Sequence, residues 1–124
     1  MKTIFNDQFE FLEASDCTDK NLENEKLYNK LIEEEYSELN REDFYLGQPK
    51  NTNTIKEALD LMYVTAGYLN VTIGPEKAQE CWEALHANNM SKCTDGKLVK
   101  NEVGKVQKPD GYEKLDLSLI LGDE

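Results

Sequence analysis

The chain has 124 residues, 31% of them charged and 39% hydrophobic, with 25 acidic against 14 basic side chains and a net charge of −11. Such a chain is long enough for one modest core, too acidic for nonspecific binding to nucleic acid or an anionic membrane, and ordinary enough in composition to fold. Cys17, Cys81 and Cys93 are odd in number and lack C-x-x-C spacing, which argues against a disulfide framework or a zinc site.

No long apolar run opens the chain, and residues 61–73 are too short and too polar to span a bilayer, so a cytoplasmic protein is expected, with no membrane partner and a single domain over residues 1–124. Asn6 is expected to cap a short helix, Asp7 to Glu13, that packs Phe9 and Leu12 with Phe5. A polar loop follows, and then a helix from about Leu22 to about Asp43 with Arg41 near its C-terminus, where the dipole favours a cation. At about 100° per residue, with Leu31 as zero, Leu27, Tyr28, Ile32 and Leu39 fall at roughly 320°, 60°, 100° and 80°, which is the core face. Glu35 and Glu38 fall inside that arc, at roughly 40° and 340°, whereas Glu33 falls at about 200° on the wet side. An inward pair of carboxylates is costly unless a cation meets it.

Gly47 and Pro49 mark a break. The next helix, Ile55 to about Val71, is apolar nearly all round, through Leu59, Leu61, Met62, Tyr63, Val64, Ala66, Tyr68 and Leu69. A chain this small cannot wrap such a helix alone, so an identical chain is expected to supply part of its cover. The helix opens with Glu57 and Asp60, spaced like Glu35 and Glu38, so that each pair shares one helix face. Pro75 starts another helix with Ala78, Cys81, Trp82 and Leu85 as its inner stripe. Beyond Asn89 the periodicity stops, with no convincing strand alternation. Five lysines between residues 91 and 108 stand there against only Asp95 and Glu102, in a stretch too long for an idle connection. The apolar tail Leu115 to Leu121 is expected to dock. The fold class is therefore all-α: a helical bundle completed by homo-oligomerisation, with an irregular lysine-rich C-terminal segment, residues 91–124, that covers a substrate.

Four carboxylates on two neighbouring helices are hard oxygen ligands, suited to Mg²⁺ or Mn²⁺ and poorly to zinc. Mg²⁺ normally adds substrate phosphates to one or two carboxylates, and the lysines suit the same anionic guest. Metal-assisted hydrolysis of a phosphoanhydride follows, with Glu34 or Glu38, beside Glu35, as the base. Plainer readings stand beside these. Glu33 and Glu34 suit a solvated face. Thr54 and Glu57 make a capping box. Lys97 and Lys100 suit an exposed loop. Trp82 and the tyrosines suit a core more than a platform for a base, and His86 suits a helix end at the surface.

Glu34-Glu35-Tyr36-Ser37-Glu38, followed by Glu57-Ala58-Leu59-Asp60-Leu61-Met62-Tyr63-Val64, resembles the paired ExxE and ExxD motifs of the MazG-like, all-α nucleoside triphosphate pyrophosphohydrolases. Asn89-Met90-Ser91-Lys92, Asp95-Gly96-Lys97, Gly104-Lys105-Val106 and Lys108-Pro109-Asp110-Gly111-Tyr112 resemble the C-terminal signature of their phosphoribosyl-ATP pyrophosphohydrolase-like branch. The resemblance runs from about Phe5 to Leu117, with one departure: Lys114 and Leu115 stand where the branch usually carries a proline pair. It implies an antiparallel bundle working as a homodimer or dimer of dimers. It further implies Mg²⁺ held by Glu35, Glu38, Glu57 and Asp60; the candidate catalytic acids, from their position on the helix that begins near Leu22, are Glu34, Glu35 and Glu38. The resemblance also implies a nucleoside triphosphate as substrate, cleaved to the monophosphate and pyrophosphate, with a deoxynucleotide favoured and dGTP as the named purine. Asn89, Lys92, Lys97, Lys105, Lys108 and Tyr112 become its substrate-binding residues. Two rivals are an acidic helical binding protein that mimics nucleic acid without catalysis, which needs its acids outward, and a plain dimerisation module, which leaves the lysines without a purpose.

Overall fold

A short capping box starts the chain. Thr3 Oγ1 accepts from the Asn6 backbone N–H at 3.2 Å, and Asn6 Oδ1 accepts from the Thr3 N–H at 3.0 Å, so helix α1 spans Ile4–Ala14. Asn6 is thus the third helical residue and not the cap, because Thr3 satisfies the orphan donors three residues earlier. The computed structural model describes residues 2–42 and 52–122. Helix α2 spans Leu22–Glu42, with Asn21 Oδ1 accepting from the Asn24 N–H at 2.8 Å at its start and Arg41 in its last turn. Helix α3 spans Thr52–Ile73 and helix α4 spans Pro75–Met90. Thr54 lies inside α3, so the capping box expected from Thr54 and Glu57 does not form the helix start. The break expected at Gly47 and Pro49 lies outside the described residues, as does the expected helix end at Asp43.

The chain divides into two units, Met1–Ala78 and Gln79–Glu124. In the first, α2 and α3 are the most extensively paired elements, and α1 packs on α3. One apolar cluster joins Phe5, Ala66 and Ala78 with Leu69 and Ile73; another joins Leu12, Tyr28 and Val71 with Phe9, Leu31, Val64 and Tyr68. Polar side chains lie buried in this unit too. Gln8 Nε2 donates to Tyr28 Oη at 3.1 Å, and Asn70 Nδ2 donates to Gln8 Oε1 at 2.9 Å and to the Phe5 carbonyl at 3.0 Å. One network therefore ties three helices in register, with Asn70 Oδ1 left without a partner. Burial pushes the Tyr28 phenol up, against the lowering effect of its bond to Gln8. Gly67 makes room for this network: a Cβ there would collide with the Tyr28 ring and stand 2.6 Å from Gln8 Nε2.

Leu27, Trp82 and Leu85, expected on core faces, are exposed. Leu27 lies at the edge of the packed arc of α2, which is centred on Tyr28 and Leu31. Of the α4 stripe only Ala78 is buried; Trp82 is 53% exposed. Beyond Ala78 the helix belongs to the second unit.

That second unit holds short strands where none was expected. β1 (Cys93–Thr94) and β2 (Lys97–Leu98) pair antiparallel, Cys93 with Leu98 and Thr94 with Lys97. Strands of two residues carry no alternation, but the Asp95-Gly96 pair, at φ 51° and 79°, is the positive-φ turn that closes a two-residue hairpin. A bridge between Lys100 and Val106 follows, with Asn101 Oδ1 accepting from the N–H groups of Val103 at 3.0 Å and Lys105 at 2.9 Å. The tail forms one turn, α5 (Ser118–Leu121). Asp116 Oδ1 accepts from the Ser118 N–H at 2.9 Å, and hydrogen bonds from Ser118 hold its carboxyl below the usual range. The described elements are thus mainly helical, with one small sheet. No described helix is long and apolar enough to cross a membrane.

Candidate functional site

Two helices of the first unit bring acids together. Glu35 and Glu38 lie one turn apart on α2, and Glu57 and Asp60 one turn apart on α3. Ligand atoms of Glu35, Glu57 and Asp60 all lie within 4.8 Å of one another. Glu57 is the buried member, 8% exposed, while Glu35, Glu38 and Asp60 are half-buried. Glu33 and Glu34 are exposed, as the helical wheel places Glu33 and as the plainer reading of Glu34 has it.

Glu35 Oε2 and Glu57 Oε2 are inaccessible to solvent and have no hydrogen-bond partner. Such orphaned oxygens are expensive. Burial pushes the Glu35 carboxyl up, helped by the negative charges of Glu38 and Asp60. Glu57 is also pushed up, first by a carboxyl–carboxyl hydrogen bond with Glu38, then by burial and by the Glu38 charge. Glu38, although outside the close trio, therefore presses on both Glu35 and Glu57. Lys56 Nζ meets Asp60 Oδ2 at 2.6 Å, and this bond pushes the lysine up. An all-oxygen donor set with unpartnered buried lone pairs fits a hard divalent ion such as Mg²⁺ or Mn²⁺, and it offers nothing for a soft one.

The expected substrate-binding residues lie in the second unit. Lys92 Nζ and Lys108 Nζ each stand 5.7 Å from the centroid of the Tyr112 ring, a cation–π distance. Lys92 also donates to Asn89 Oδ1 at 3.1 Å. The ring is held by Asn88, whose Oδ1 accepts from Tyr112 Oη at 2.6 Å and whose Nδ2 donates to the Glu113 carbonyl at 2.8 Å. Among the described residues no carboxylate pairs with Lys92 or Lys108. A cleft of about 1210 Å³ opens here, lined by Asn88, Ser91, Cys93, Lys108 and Tyr112 among others. Structure thus gathers Asn89, Lys92, Lys108 and Tyr112; the cation–π pairs with that ring come from Lys92 and Lys108, while Lys97 in β2 and Lys105 in the turn beyond are exposed.

Sequence reasoning missed two residues. Lys56 is legible in hindsight, since Lys56 and Asp60 are an i,i+4 pair. Asn88 is not, because its partners lie 24 and 25 residues away. No model of a known protein family matches the chain, and comparison with curated proteins finds no similar sequence.

Proposed function

We propose that the protein is a divalent-metal-dependent nucleoside triphosphate pyrophosphohydrolase. The observation that carries the reading is the buried, unpartnered oxygens of Glu35 and Glu57 in a carboxylate trio with Asp60. Glu35, Glu57 and Asp60 would hold Mg²⁺ or Mn²⁺. The ion, when bound, supplies Lewis-acid polarisation of a phosphoryl oxygen and an acidified water. Glu38, against the trio but outside it, accepts the proton of the attacking water at its carboxylate. Water adds to the α-phosphorus, the bond from that phosphorus to the bridging oxygen breaks, and pyrophosphate leaves with the electron pair. The choice of that bond, and of a deoxynucleotide such as dGTP, rests on the motif resemblance. Within the second unit, Lys92 and Lys108, both over the Tyr112 ring, suit phosphate oxygens.

The rival reading, an acidic binding surface without catalysis, needs its acids outward, and the burial of Glu57 speaks against it. A second copy of the chain is part of the proposal. Ile55, Leu59, Met62 and Tyr63 share one face of α3 and are each more than two-fifths exposed, a stripe that an identical helix would cover.

Incubation with each NTP and dNTP plus Mg²⁺, assayed for pyrophosphate, tests the activity; no release from any nucleotide by folded protein ends this reading. Glu38→Gln should lower turnover by about 10²–10⁴-fold with metal affinity retained, as for loss of a general base, whereas Glu57→Gln should lose metal affinity. A Glu38→Gln variant with full turnover would remove Glu38 from the role of base.

A further inference from the structure

The carboxylate group carries one cation of its own. Lys56, one turn before Asp60 on α3, places Nζ 2.6 Å from Asp60 Oδ2, and its side chain is 66% exposed. Among the described residues it is the cation that pairs with this group: the remaining ion pairs join Lys2 to Asp7 and Glu10. A surface i,i+4 pair usually adds little to stability. This one neutralises a member of a cluster whose deeper oxygens, Glu35 Oε2 and Glu57 Oε2, have no donor.

Resting on the metal reading above, we propose that Lys56 is an exchangeable counter-ion and a further phosphate-binding residue of the same site, pairing with Asp60 until a divalent ion binds and then with the phosphate oxygens of the substrate. The argument is electrostatic and its first sign is fixed. An ammonium held against a ligand carboxylate opposes any second cation that shares it, whichever Asp60 oxygen the ion takes. Lysine is suited to leave, because its four-carbon stem and three rotatable donors move without the backbone. Its exposure keeps the freed ammonium at the solvent side of the carboxylates, where an anionic guest of the metal arrives. Charge-assisted pairing with a phosphate oxygen then replaces the bond lost to Asp60. The lysine thereby opposes metal loading without substrate and favours it with substrate.

Calorimetric titration of the full-length chain tests this, with Mn²⁺ first and then inorganic pyrophosphate added to Mn²⁺-loaded protein, for the wild type, Lys56→Met and Lys56→Arg. Lys56→Met should bind Mn²⁺ about tenfold more tightly and pyrophosphate about tenfold more weakly, the size expected for one partly screened unit charge. Lys56→Arg, which keeps the charge, should return both towards wild type. The exposed position makes both variants foldable, and circular dichroism checks that they are. A lysine that merely orients Asp60 would weaken both affinities on removal; that result, or either affinity unchanged, overturns the proposal. Wild-type protein without Mn²⁺ affinity overturns the metal reading as well, whereas normal wild-type binding with Lys56→Met unmoved overturns this inference alone.

Discussion

The two units of this protein handle polar groups in opposite ways. In Met1–Ala78 the polar side chains of Gln8, Asn70 and Glu57 are buried among helices; two of them close a hydrogen-bond network, and the third is left facing other carboxylates. In Gln79–Glu124 the polar groups organise turns near the surface: Asn101 bonds the backbone of its own loop, and Asn88 fastens Tyr112. A buried polar network fixes helix register, so the first unit can hold carboxylates at a spacing they would not choose. Turn-borne contacts fix only local shape, which leaves long lysines able to adapt to a guest. On the function proposed above, metal ligands would call for the first construction and phosphate binding for the second.

The sharpest way to test that contrast is to empty the first core. Leu12 is fully buried between α2 and α3 residues, so Leu12→Ala should cost about 2–5 kcal/mol in denaturant unfolding. Val103, 86% exposed at a turn, should tolerate Val103→Ser within about 0.5 kcal/mol. Equal costs at both sites would erase the distinction between the units.

A smaller effect concerns the carboxylates. Glu35 and Glu57 are pushed up in the folded state, so the stability they contribute is complete below the ordinary carboxylate range and is lost as pH rises through their raised values. Metal-free protein should therefore melt higher as pH is lowered from neutral towards the ordinary carboxylate range, and Glu35→Gln combined with Glu57→Gln should remove that rise. At neutral pH a divalent ion should do what the protons do, adding about 2.7 kcal/mol at a hundredfold excess over Kd. A melting temperature indifferent to both protons and Mg²⁺ would show that the carboxylates do not strain the fold. Asp116, held low by Ser118, acts in the opposite sense and in a lower window, losing its contribution as pH falls through its depressed value.

The smallest effect belongs to the second unit. Tyr112→Phe removes the bond to Asn88 and should cost about 0.5–1.5 kcal/mol, read most directly as faster hydrogen exchange across residues 88–113. Unchanged exchange would mean that the ring is placed by its surroundings and not by Asn88.

Periodicity alone determined most of the helical frame and the inward turn of Glu35, because a helix repeats every 3.6 residues and a carboxylate inside an apolar arc has one direction to point. The Asp95-Gly96 dipeptide and the i,i+4 spacing of Lys56 and Asp60 also lie in the sequence, but strands two residues long carry no alternation that points to the hairpin. Three things were decided only by tertiary structure. Thr3, not Asn6, caps α1, since two competing caps differ only in which backbone donors are left over. Gln8, Tyr28 and Asn70 meet across residues 20 and 62 positions apart, a pairing no local pattern encodes. The approach of Glu57 to Glu35 depends on how α2 lies against α3, and such a packing angle is set by side-chain shape along the whole contact, which a one-dimensional pattern does not contain.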